Sequence, residues 1–140
     1  MEIHELQEFL SNEFPQSSVR IEALGELGAT VRQRIDQSHL RPGGTVSGPV
    51  LMTVADVAMY VALLNRIGIV PLAVTTNLTI NFLRKPSAQR DIIGVCELIK
   101  VGRSQAVGEV ALYSEGNDEM VAHVICTYAI PRPDLGSISS

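Results

Sequence analysis

What this chain lacks narrows its function before anything present does. It holds only two cysteines, Cys96 and Cys126, far apart and neither beside a histidine. A metal site asks for more ligands at tighter spacing, so the two read as reduced core thiols. There is no run of Lys or Arg. The 11 basic residues are scattered, and 15 acidic ones leave a net charge of −4, so no nucleic-acid partner is expected. A phosphate-binding loop, a dinucleotide glycine fingerprint and a Ser-His-Asp set are all missing, as are internal repeats and low-complexity segments. The opening MEIHELQEFL is acidic and has no continuous apolar segment, so no export signal is expected and the expected location is the cytoplasm. The longest apolar stretch begins after Gly48, is interrupted by Asp56 and ends at Asn65-Arg66, short of a membrane span. No membrane partner is expected.

What remains is 140 residues, 46% apolar and 19% charged, enough for one domain with its own core. The apolar excess leaves material for an interface between copies. Ile3, Leu6, Phe9 and Leu10 fall at helical spacing, which predicts a short amphipathic helix over residues 1–15 closed by Pro15. Residues 16–131 read as a single domain and 132–140 as a disordered tail. Loose alternation from Ser18 to Ile35, broken at Gly25 and Gly28, predicts two strands. The stretch QSHLRPGGTVSG reads as loop.

Pro49 suits the first position of a helix, with Ser47 or Gly48 as N-cap, and that helix runs to about Arg66 with Gly68 as its stop. Because it is apolar on every side, it should be enclosed all round. Four strands follow. In the first, alternation places Val74, Thr76, Leu78, Ile80 and Phe82 on one face. The fold class expected is α+β, an antiparallel sheet wrapped around a long central helix, with a second copy completing the enclosure.

One residue breaks the pattern. Asp56 carries the only formal charge between Gly48 and Leu64. Its helical neighbours Met52, Thr53, Met59 and Tyr60 include no cation. Either a distant Arg pairs with it, or it faces a cavity. A poorly solvated carboxylate in an apolar cavity suits a general base or a nucleophile. Eight residues upstream, Gly48 opens the helix, where backbone N–H groups can hold an oxyanion. A carbonyl holder and a carboxylate on one helix make a minimal acyl-transfer site, set against the plainer reading of a paired structural aspartate.

RPGGTVSGPVLMTVADVA, then TTNLTINFLRK, then VGRS, resembles the hot-dog-fold acyl-CoA thioesterases of the phenylacetate-pathway (PaaI-like) and 4-hydroxybenzoyl-CoA type. The family pattern is roughly N-x-x-G-x-x-H-G-G, six residues, then Asp or Glu. The resemblance implies thioester hydrolysis with Asp56 as the catalytic carboxylate, activating water or attacking the thioester itself. It makes Gly48 the glycine whose amide holds the carbonyl, and Thr75 a hydroxyl that positions the water. It implies a homodimer or homotetramer, with the acid from one subunit and the hydroxyl from the other. It implies an acyl-CoA substrate and no cofactor beyond the coenzyme A that the substrate carries. The chain departs from the pattern where Ser47 replaces His, Pro49 the second Gly and Arg41 the Asn. Arg41 could orient the thioester, bind an acyl carboxylate or pair with Asp56. Ser47 and Tyr60 are further candidates for the substrate site, and His39 stands near enough to the loop to replace the missing His. Arg84, Lys85 and Arg103, at strand ends, are candidates for coenzyme A phosphates, against the plain reading of solvated turn charges.

Overall fold

A computed structural model describes residues 1–131; the tail expected to be disordered lies outside the described residues. Two helices, α1 (Ile3–Glu13) and α2 (Gly48–Ile67), accompany eight strands. These are β1 (Arg20–Leu24), β2 (Gly28–Gln33), β3 (Leu40–Arg41), β4 (Thr45–Val46), β5 (Val74–Phe82), β6 (Ile92–Val101), β7 (Gln105–Ser114) and β8 (Ala122–Ala129). Six of them form one antiparallel sheet in the order β1-β2-β6-β7-β8-β5. The two short ones pair with each other inside the stretch read as plain loop, which also holds a 3-10 turn, Gln37–His39. Gly43 and Gly44 both take positive φ in the β3–β4 turn, a conformation that disfavours any side chain.

The sheet curls around α2, whose residues Val61 to Leu64 are all buried, Leu63 completely. Alternate residues of the central strands point at the helix, among them Val31, Cys96, Val110, Leu112, Val124 and Cys126. The helix begins with Pro at an early position, as expected, and ends at Gly68, whose φ of 95° only glycine adopts without strain. The reading of this stretch as short of a membrane span is corrected: α2 is by length and composition long and apolar enough to cross one, and here it forms the core of the sheet's concave side. Enclosure is incomplete at its start, where Pro49, Met52 and Thr53 are exposed. The N-terminal helix docks on β1, clamped by Gln7, whose Oε1 accepts the Ile21 N–H at 2.8 Å.

Both cysteines are buried and unbonded, and burial pushes each thiol up to about 12. In the folded protein at pH 8 neither thiol should react with Ellman's reagent, and both should react after denaturation, which a two-point titration checks. Leu63→Ala should destabilise the fold by about 2–5 kcal/mol, read as a lowered urea midpoint at unchanged slope.

Candidate active site

Asp56 is half-buried, two turns into α2, and its partners are hydroxyls rather than a cation. Thr75 Oγ1 donates to Asp56 Oδ1 at 2.5 Å, and the Tyr128 hydroxyl donates to the same oxygen at 2.8 Å. No described residue donates to Oδ2. The two donors therefore fix the carboxylate's orientation while leaving one oxygen for chemistry.

Thr75 reaches the acid because β5 carries a bulge. Thr75 pairs with Tyr128 and Asn77 with Thr127, so one residue, Thr76, is extra. Past the bulge Leu78, Ile80 and Phe82 oppose Cys126, Val124 and Ala122 on the helix side; before it, that side belongs to Thr75. The unbroken alternation expected from the sequence, with Val74 and Thr76 on one face with Leu78, Ile80 and Phe82, is corrected here. So is the expected division of acid and hydroxyl between subunits: Thr75 and Asp56 meet within one chain.

Tyr128 was not anticipated. It lies in phase with the inward residues Val124 and Cys126, and a buried tyrosine needs a partner for its hydroxyl, which was the available signal. Its ring stacks on Tyr60 at 5.9 Å, and Phe14 meets Tyr60 edge-on at 5.7 Å. With Phe9, four of the chain's six Phe and Tyr residues gather here. Burial, reinforced by the Asp56 charge, raises the Tyr128 phenol well above its ordinary value, so it stays a donor throughout the neutral range. Burial likewise raises Tyr60, whose hydroxyl is engaged by the Pro71 carbonyl at 3.3 Å.

Asp56, Thr75, Tyr128 and Tyr60 line a cavity of about 740 Å³, walled on one side by Leu10 of α1 and by Phe14 just after it. His39 lines it too. Its Nδ1 accepts the Asp36 N–H at 2.9 Å, which leaves the proton of the neutral ring on Nε2. Gly48 is elsewhere. It lines a second cavity of about 470 Å³ with Arg41, Phe82, Arg84 and Lys85. Eight residues of helix put it about 12 Å from Asp56 along the axis. As the first helical residue its N–H has no acceptor in the helix, and no other described group takes it.

Arg41 therefore sits with Gly48 and does not pair with Asp56. Ser47 occupies the N-cap position, but its side chain makes no capping bond, contrary to the expected cap. Arg84 is tied to Glu119 at 3.0 Å and to the Met120 carbonyl at 2.8 Å, while Lys85 is exposed and free of partners among the described residues. Arg103 is exposed in the β6–β7 turn and lines neither cavity. No group of three His, Cys, Asp or Glu among the described residues is placed to hold a metal ion.

The family model of the thioesterase superfamily matches residues 43–121, more than half of the chain. The chain belongs to the thioesterase superfamily. A protein from Silicibacter sp. TM1040 assigned as a thioesterase is 42% identical, covers 94% of this chain and 93% of its own, and superposes with a TM-score of 0.87. Thioesterase superfamily member 2 of zebrafish is 19% identical with a TM-score of 0.83, covering 94% and 99% of the two chains. A mutant of the phenylacetic acid degradation protein PaaI of Thermus thermophilus is 22% identical with a TM-score of 0.72, covering 89% and 99%. These last two share the fold. No curated protein sequence matches the chain. The architecture is the hot-dog fold that the sequence motifs implied, and membership of this superfamily supports thioester hydrolysis as the protein's general chemistry. On that chemistry, Tyr128→Phe and Thr75→Val should each slow hydrolysis only a few-fold, and the pair should cost more than the product, since each donor can hold Oδ1 in the other's absence and only the double variant leaves it unheld.

Proposed function

We propose that the protein hydrolyses acyl-CoA thioesters at a site assembled from two chains. Asp56 activates the water in one chain, and Gly48 of the other holds the carbonyl. The observation that carries this reading is the Asp56 carboxylate, pinned through Oδ1 by two hydroxyls and open at Oδ2 to an apolar cavity. Oδ2 takes a proton from water as the water attacks the thioester carbon. The oxyanion that develops sits against the free Gly48 N–H at the positive end of α2, and coenzyme A leaves as its thiolate. Arg41 and Lys85, beside Gly48, then lie where the negatively charged coenzyme A enters, and coenzyme A takes part only as substrate.

The second chain enters along β5. This strand closes one edge of the sheet and exposes most of its nine residues, Val74 and Phe82 each at 55%. A long exposed edge with apolar side chains is a template for pairing with another copy.

Asp56→Asn should lower thiol release from a panel of acyl-CoAs a hundredfold or more, about the scale of a lost general base. If wild type releases no thiol from short, long or aryl substrates, hydrolysis is not its role. Ser47, where the family pattern has His, favours a second reading, a module that binds the thioester without cleaving it. Calorimetric binding without turnover would then be the result. The two-chain site has its own test. Gly48→Pro removes the N–H yet suits a first helical position. Refolded as an equal mixture, Asp56→Asn and Gly48→Pro chains should recover about a quarter of wild-type activity, because half the dimers are mixed and each holds one intact site. A site contained in one chain would recover none.

A further inference from the structure

Tyr60 lies one helical turn beyond Asp56, at the spacing that puts two side chains on one face of α2. It is buried, and its ring stacks on Tyr128 at 5.9 Å, while Phe14 and Phe9 pack against it at 5.7 and 6.4 Å. Its hydroxyl donates to the Pro71 carbonyl at 3.3 Å, just ahead of β5. That bond falls on a segment with little else to hold it. Leu72 is 74% exposed, Val74 is exposed as well, and from Pro71 to Thr75 only Ala73 is buried. The bulge that follows Thr75 interrupts the pairing with β8 at the same place. Thr75 Oγ1 stands 2.5 Å from Asp56 Oδ1, so a shift of about 1 Å in this segment takes it to the limit of a hydrogen bond.

Thr75 and Tyr128 are direct cross-strand partners, so the two donors to Oδ1 stand side by side, and Tyr60 bears on each by a different route. We infer that Tyr60 is a positioning residue for both donors: its hydroxyl seats the start of β5, and with it Thr75, while its ring seats Tyr128. A phenol is needed to do both at once. Phenylalanine keeps the ring and loses the bond to Pro71; an aliphatic side chain keeps neither. Tyr60 acts on the carboxylate through the two hydroxyls, and its contribution is the alignment of Asp56 in the reacting complex.

This inference rests on the reading of Asp56 as the reacting carboxylate, so its test follows the carboxylate as well as turnover. Tyr60→Phe is made in wild type, in Thr75→Val and in Tyr128→Phe, and each is assayed with acetyl-, octanoyl- and benzoyl-CoA. In wild type it should lower kcat by about threefold, and by the same factor for whichever of the three are cleaved. It should add nothing to Thr75→Val and cost more in Tyr128→Phe, where Thr75 is the last donor. Tyr60→Leu, which loses the ring too, should alone cost about as much as the Thr75→Val, Tyr128→Phe pair. Equal losses with and without Thr75, or a loss that varies with the acyl chain, overturn the assignment; Tyr60→Phe carries this test even if Tyr60→Leu fails to fold. The second readout needs no substrate. In protein labelled with carbon-13 at the aspartate carboxyls, Tyr60→Phe should move the Asp56 signal, identified by its loss in Asp56→Asn, but should leave it in place when Thr75 is already Val. If no thioester is cleaved, this signal decides. Movement that depends on Thr75 keeps the positioning role and removes the hydrolase, whereas no movement, or the same movement in both backgrounds, overturns the role.

Discussion

The structure depends on covering one helix. Val61 to Leu64 of α2 present apolar side chains in every direction and all are buried, so the sheet must bend until its concave side meets them. The bend needs close approach, and small residues provide it. Ala55, Ala58 and Ala62 lie on the helix, while Gly94 and Gly108 lie on the sheet. A methyl group at Gly94 would press on Val54 and Leu112 at 3.1 and 3.2 Å, and one at Gly108 would overlap the Met59 sulfur. One sheet still covers only part of a cylinder. The shortfall falls at the start of the helix, where Met52 and Thr53 are exposed. Asp56 stands at the boundary between covered and open helix, where a carboxylate can be dry enough to be reactive and still be reached.

How that carboxylate is held matters as much as where it stands. An arginine partner would orient Asp56 but also neutralise it and occupy both oxygens in a bidentate grip. Two hydroxyls on Oδ1 orient it without cancelling its charge. Tyr128 is suited to this because its phenol, buried and next to an anion, does not ionise in the working range. The tyrosine is held in turn by the aromatic stack through Tyr60 to Phe14. Residues just after the N-terminal helix thus bear on the orientation of a carboxylate in the middle of the chain. The helix read as a separate amphipathic piece is a wall of the cavity.

The parts of this arrangement that were legible in the sequence are the periodic ones. Helix α2, its Pro49 start and Gly68 stop, the strand pairs around Gly25–Gly28 and Gly102–Ser104, and the isolation of Asp56 all follow from spacing and turn chemistry. What was hidden is what periodicity does not encode. The bulge at Thr76 reverses the facing of β5 by inserting one residue, and nothing in the run TTNLTINF marks it, since Thr and Asn are at home on either face. Tyr128 was hidden for a different reason: its importance lies in a partner 72 positions away in the chain. Gln33 continues an inward row whose last apolar member, Val31, lies two residues earlier, so its burial could be read only from the fold.

The spacing between Gly48 and Asp56 was legible; its consequence was not. Eight residues of helix separate two groups by about 12 Å along the axis and by about 80° around it. A rigid helix therefore points the amide at one cavity and the carboxylate at another, and the two cavities differ in character. One holds Arg41 and Lys85 and no acid. The other holds Asp56 and an uncharged, largely apolar lining. A thioester of coenzyme A has the same division, with a polyanionic carrier at one end and an acyl chain at the other. Its reacting carbonyl lies at the junction and has to touch both an oxyanion holder and a base. No rotamer change within one chain brings Gly48 and Asp56 to a common carbonyl, because the helix between them is the core of the fold. In the two-chain site proposed above, the Gly48 end of one helix meets the Asp56 region of another, and the exposed β5 edge is the surface that reading gives to the second copy.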